Sequence, residues 1–149
     1  ASFTRFARKF EAQSLLMRKH KPAVFLASGS GLTASSRVSA RDLASLLDEM
    51  YRHTGLFPSF LGALTVPAHT PVRMLKRPGD RAWMRRIAAK TGSFPGRFKV
   101  FALAGYIRLP GGDGWGAFAV LVNGTKKYEP SVRTSIDATR AAITPFLRP

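Results

Sequence analysis

Apolar positions recur along the chain at two different spacings. Phe3, Phe6 and Phe10, continued by Ser14 and Met17, fall at helical intervals, with Arg5, Arg8, Lys9 and Arg18 mostly on other faces, which predicts a basic amphipathic first helix. Pro22 ends that register, and Ala23-Val24-Phe25-Leu26-Ala27 predicts a short buried strand. Ser28 to Val38 is small and polar, hence a loop. Ser39, with Asp42 three residues on, has the form of a capping box, and it opens a helix whose apolar stripe is Leu43, Leu46, Leu47 and Met50 and which stops near Gly55. Pro58 to Leu64 predicts another short helix. Thr65 to Gly79, with Pro67, Pro71 and Pro78, predicts a long excursion without regular structure.

Beyond a basic stretch the period changes. Ile87 to Thr91 is strand-like, and Phe98 to Leu109 is apolar on both alternate faces, as a strand covered on both sides should be. Pro110-Gly111-Gly112-Asp113-Gly114 is a turn by composition, and Trp115 to Asn123 is the partner strand of an antiparallel hairpin. Pro130 suits a first helical position, and Val132, Ile136, Thr139 and Ile143 repeat at helical intervals as far as Pro145. No internal repeat is present. The 149 residues therefore predict one domain, 1–149, of α/β (α+β) class: an antiparallel sheet from the strands at Ala23, Ile87, Phe98 and Trp115, flanked by the N- and C-terminal helices, with a small helical cluster over Ser39 to Leu64.

Composition agrees with a packed chain, at 45% hydrophobic and 11% aromatic residues. The absence of cysteine removes disulfides, thiolate catalysis and cysteine-based zinc sites. The histidines His20, His53 and His69 share no metal-ligand spacing, so no metal is expected. No apolar run reaches the roughly 18 residues of a membrane span, and no signal-peptide core opens the sequence, so the expectation is a soluble chain. Charge changes the picture more. Lys and Arg number 24 against 8 Asp and Glu, a formal +16, and such a field attracts polyanions. It is densest where Arg73, Lys76, Arg77, Arg81, Arg85, Arg86, Lys90, Arg97 and Lys99 face the single acid Asp80. A nucleic-acid or other polyanion patch is one reading. A solvated face or an interface is the other, because only Trp83, Phe94 and Phe98 interleave and no base-stacking motif organises them.

Two short motifs carry candidate chemistry. Gly29-Ser30-Gly31-Leu32-Thr33-Ala34 mimics a dinucleotide fingerprint, but the helix after it starts too late, near Ser39, and Asp48 and Glu49 lie inside that helix instead of ending a second strand. A plain loop fits better, and no cofactor is expected. Lys90-Thr91-Gly92, followed by Ser93, stands at a strand edge. An ammonium, a hydroxyl able to hold a carboxylate and a glycine that lets a ligand lie against the strand are the parts of an acyl-transfer site. A Lys-Thr pair followed by a turn glycine is the bland alternative.

The order of blocks along the chain adds to this. Ser28-Gly29-Ser30-Gly31-Leu32, Arg37-Val38-Ser39-Ala40, Phe60-Leu61 with Leu64, Ala89-Lys90-Thr91-Gly92-Ser93, Leu103-Ala104-Gly105-Tyr106 and Phe118 to Asn123 follow one another. This succession resembles the C-terminal portion of the low-molecular-mass penicillin-binding proteins of the D-alanyl-D-alanine carboxypeptidase and endopeptidase type, within the penicillin-recognising serine acyltransferases, over roughly residues 23–145. Ser28 stands where that family usually has Asp. The resemblance implies a partial serine β-lactamase-like fold, a periplasmic or cell-envelope setting, and a peptidoglycan stem peptide or a β-lactam as ligand. In a completed site it implies Lys90 as the electrostatic or proton-transfer partner of a serine, Thr91 as holder of the terminal D-Ala carboxylate, Gly92 as the residue that keeps the strand accessible, and the Ser93 N–H as an oxyanion donor.

One departure is large. The family's Ser-x-x-Lys nucleophile and Ser-x-Asn motif are expected ahead of Lys-Thr-Gly, yet no serine here is followed by lysine at the fourth position, and Asn123 is the only asparagine. Lys90 and Thr91 bind and polarise but do not attack. Three expectations follow: a fragment of a serine-type carboxypeptidase, a subunit completed by a chain that carries the missing motifs and inactive alone, or a non-enzymatic basic scaffold that binds a polyanion.

Overall fold

The fold is described from a computed structural model, which covers residues 24–30, 32–67, 81–94, 99–112, 114–124 and 132–147. The expected first helix and Pro130 lie outside these residues, as does most of the Thr65 to Gly79 excursion.

Capping fixes the start of the first described helix, α1 (Ala40–Arg52). The Ser39 hydroxyl accepts from the Asp42 N–H at 3.1 Å, while Asp42 Oδ2 accepts from the Ser39 N–H at 3.1 Å and from its hydroxyl at 2.6 Å. Two N–H groups that the helix itself cannot satisfy are thereby paired. α1 buries Leu47, and its Arg52–Asp48 pair at 3.1 Å is exposed and adds little. α2 (Phe57–Gly62) follows, with Pro58 in its first turn, where the missing N–H costs nothing.

α3 (Arg81–Arg86) runs directly into β1 (Ile87–Phe94), which pairs antiparallel with β2 (Val100–Arg108); β2 pairs antiparallel with β3 (Trp115–Asn123), in the order β1-β2-β3. Gly111, Gly112 and Gly114 all take positive φ in the β2–β3 turn, the conformation that glycine alone adopts freely. The chain continues through α4 (Val132–Ile143) into a 3-10 turn at Thr144–Leu147.

Strand alternation sorts side chains into two layers. On one face Ile87, Ala89, Phe101, Leu103 and Ile107 form a buried core with Ile143 from the end of α4, and Met84, Phe118 and Val122 pack against it. On the other face α1 lies against β3 and β2. Tyr106 joins that layer to the helices. It is fully buried, its hydroxyl donates to the Leu47 carbonyl at 2.7 Å, and its ring meets Phe57 and Phe60 edge-on at 5.2 and 6.3 Å. Among the described residues no helix is long and apolar enough to cross a membrane.

The α+β class and the antiparallel hairpin stand as expected, and two local expectations are corrected. Of the strand expected over Ala23–Ala27, the described residues 24–27 form none: Phe25 makes a single antiparallel bridge to Arg37, and two residues on the Ala27 N–H goes to the Ser36 hydroxyl at 3.3 Å instead of continuing the ladder. The described sheet accordingly has three strands. β1 runs three residues past Thr91 to Phe94, because Ala102, Phe101 and Val100 hold Gly92, Ser93 and Phe94 in register. The basic stretch before β1 contains α3, six residues and too short to show a helical stripe.

Candidate active site on the edge of β1

Lys90, Thr91, Gly92 and Ser93 all lie in β1, an outer strand of the sheet. The direction of their main chain follows from one bridge. Ala89 donates to the Thr65 carbonyl at 2.9 Å and accepts from the Thr65 N–H at 3.1 Å, on the side away from β2. In an antiparallel ladder the direction alternates by residue, so Thr91 and Ser93 aim their N–H and C=O outward like Ala89, while Lys90 and Gly92 bond to Ala104 and Ala102 of β2. Thr65 covers the edge only at Ala89. From Thr91 to Ser93 no other described backbone pairs with it.

Side chains divide the other way. Lys90 and Gly92 stand on the face that α1 and α2 partly cover, Thr91 and Ser93 on the face of the Ile143 core, so the four residues straddle the strand's rim. Lys90 is exposed, and its ammonium donates to the outward Thr91 carbonyl at 2.7 Å. A cation, two outward N–H groups and two outward carbonyls thus line one open edge. That set can bind an extended peptide ending in a carboxylate: the main chain pairs with the edge, and the cation faces the anionic end.

Two glycines in this region have opposite reasons to be glycine. A Cβ on Gly105, which faces Ala89, would overlap the Ala88 carbonyl oxygen and lie 2.6 Å from Ala89 Cα and 2.8 Å from its Cβ. A Cβ on Gly92 would meet only Ala102 Cβ, at an ordinary 3.6 Å. Gly105 is required by the close approach of β2 behind Lys90. Gly92 is not required by packing among the described residues.

The basic cluster falls partly within the described residues. Arg73, Lys76, Arg77 and Arg97 lie outside the described residues; Arg81, Arg85 and Arg86 belong to α3, with Arg85 exposed, and Lys99 is exposed just before β2. The glycine loop does not form a dinucleotide turn, since Ser30 accepts from the Leu32 N–H at 3.2 Å and α1 begins only at Ala40. Two features of this region gave no sequence signal. Thr65 ends the open part of the edge, and Tyr106 ties the strand behind Lys90 to Leu47; both are pairings distant in sequence, which periodicity does not register.

No curated protein and no solved structure matches the chain. The family model described as D-Ala-D-Ala carboxypeptidase 3 (S13) matches residues 20–143, which includes α1, the whole sheet and α4. With the Lys-Thr-Gly strand, the Ala-Gly-Tyr strand and the helical cap inside the matched span, the chain belongs to the D-Ala-D-Ala carboxypeptidase 3 (S13) family.

Proposed function

We propose that this chain supplies the substrate-holding edge of a D-alanyl-D-alanine carboxypeptidase, with the serine nucleophile coming from outside the 149 residues. The observation that carries the reading is the open rim of β1, where Thr91 and Ser93 turn their main chain outward beside the Lys90 ammonium. The substrate is a peptidoglycan stem peptide ending in D-Ala-D-Ala, for which a β-lactam substitutes, and the setting is the cell envelope. The peptide lies along β1 over Gly92. Thr91 and Lys90 hold the terminal carboxylate, and the Ser93 N–H donates to the oxyanion as the serine adds to the scissile carbonyl. Lys90 also stabilises the serine as it loses its proton. Bond making begins only with that serine, so the chain by itself binds and does not hydrolyse.

A fluorescent penicillin tests this. The 149 residues alone should take no covalent label, and mixing them with the Ser-x-x-Lys and Ser-x-Asn segment of a family member should restore labelling. Labelling of the isolated chain, or none in the mixture although the two polypeptides associate, would sink the reading. The rival, a polyanion-binding scaffold, has the +16 charge in its favour. It requires retention of nucleic acid with a salt slope near −0.9 for each phosphate neutralised, flattened when Arg81, Arg85 and Arg86 become Ala.

A further inference from the structure

One end of the open rim of β1 is closed by a short crossing of the chain. Thr65 and Ala89 bond in both directions, at 2.9 and 3.1 Å, and the bridge is antiparallel, so the chain comes up to it from the Lys90 side, with Leu64 the residue before it. The crossing is anchored on both sides. Before it, α2 sets Phe57 and Phe60 edge-on against the buried Tyr106 ring at 5.2 and 6.3 Å, and the Leu64 N–H donates back to the Leu61 carbonyl at 3.1 Å. After it, Pro67 is fully buried.

A peptide placed on β1 as above has a fixed direction. With its scissile carbonyl at the Ser93 N–H and its carboxylate at Thr91 and Lys90, it runs from Ser93 toward Ala89, antiparallel to β1. Antiparallel partners advance residue for residue. If the residue that carries the scissile carbonyl lies opposite Ser93, the next lies opposite Gly92 and a second opposite Thr91. A third comes opposite Lys90, beside Leu64, and a fourth needs the Ala89 groups that Thr65 already holds. One residue after the scissile bond therefore ends within reach of the Lys90 ammonium. Each further residue carries the carboxylate about 3.3 Å closer to Leu64, which is apolar and partly covered and offers an anion nothing.

We propose that the Thr65 bridge, with Leu64 beside it, is the stop that limits a peptide on β1 to one residue beyond the scissile bond. This rests on the carboxypeptidase reading, which places the carbonyl and the carboxylate. Thr65 acts through its main chain, by occupying the Ala89 N–H and C=O on which a longer peptide would pair. Left unpaired, that stretch of edge would accept extra residues, because main chain recruits main chain whatever side chains it carries. The limit on length is thus set by a crossing outside the sheet, and the Lys-Thr-Gly-Ser run does not contain it.

The test is binding, which needs no serine. The affinity of the 149-residue chain is measured for a fluorescently labelled peptide ending in D-Ala-D-Ala and for the same peptide extended by three glycines. The extended peptide should bind at least about tenfold more weakly, the loss of a charge-assisted contact. Thr65→Pro removes the N–H that donates to Ala89 and should bring the two affinities within about twofold, with the shorter peptide bound as before. If that variant loses its fold by circular dichroism, Leu64→Gly provides the same test from the Lys90 side of the bridge. Amide exchange at Thr65 should not change when either peptide is added. Equal binding of the two peptides by the parent chain would overturn the stop and leave the carboxypeptidase reading standing. So would a folded variant that keeps the tenfold gap, or faster exchange at Thr65 with the extended peptide, since the crossing would then be displaced by it. Failure of the parent to bind either peptide would sink the carboxypeptidase reading, and the stop with it.

Discussion

Along its outer rim β1 presents Lys-Thr-Gly-Ser, broken by one bridge to Thr65, whereas β3 presents nine residues without a charge and without a bridge from any other described segment. Both are outer strands of the same sheet, paired to the same β2, with the same number of outward main-chain groups per turn of the pleat. The difference is in what surrounds those groups. β1 carries a cation, two hydroxyls and the bare Gly92, where an added Cβ would meet only Ala102, whereas β3 is uncharged throughout and has no polar side chain from Trp115 to Val122.

Proline substitution at outward positions breaks the comparison most sharply. Ser93→Pro deletes an N–H that takes no part in the β1–β2 ladder. In the completed assembly Ser93→Pro should lower the rate of penicillin acylation by about 10²–10³, the cost of one oxyanion donor, with association unaffected. Unchanged acylation would remove the Ser93 N–H from the oxyanion role.

Gly105→Ala tests the strand that both edges share. The added methyl meets backbone at Ala88 and Ala89 and cannot be relieved by a side-chain rotation, so a loss of about 3 kcal/mol is expected, at the upper end of ordinary overpacking. Urea unfolding measures it. Ligand binding on β1 should fall with it, and a variant that kept its stability would mean that the close approach of β2 to β1 does not require glycine at 105.

The hairpin was legible because two long apolar runs flank a glycine-rich turn, and α1 because Ser39 and Asp42 cap a regular stripe; both signals are local. The Lys90–Ser93 rim was legible as a motif, and its outward direction was not, since that depends on Thr65, far away in the chain. The same holds for the expected strand at Ala23–Ala27. Five apolar residues suggest burial, yet Phe25 is 53% exposed, and the chain opposite offers hydroxyls that take the backbone hydrogen bonds themselves. The charge cluster lies only in part within the described residues.

Tyr106→Phe gives a smaller effect with a distinctive pH signature. Burial, aided by the negative charge of Asp48, raises the Tyr106 hydroxyl from 10.0 to about 12. The folded chain therefore holds this proton where the unfolded chain releases it. The stabilisation is complete below pH 10 and is lost as pH rises toward 12. The Phe variant should lose about 1 kcal/mol at neutral pH with the bond to Leu47, and its stability should decline less steeply than the parent's between pH 10 and 12. Parallel declines would show that Tyr106 does not titrate differently in the two states, and an unchanged stability at neutral pH would show that its bond to Leu47 is not what ties the helices to the strand behind Lys90.

The smallest expected effect on the fold is at Gly92, and its smallness is the point. The position is exposed, its backbone is extended, and an added Cβ has an ordinary contact with Ala102. Replacing glycine there also restricts the unfolded chain, so Gly92→Ala should leave stability unchanged or raise it by about 0.5 kcal/mol. The same methyl stands on the face where a peptide on β1 would rest, beside the Lys90 ammonium. Acylation in the completed assembly should therefore slow while the urea midpoint holds or rises. A loss of stability comparable with that of Gly105→Ala would make Gly92 a packing residue, and the openness of the β1 rim would no longer distinguish it from β3.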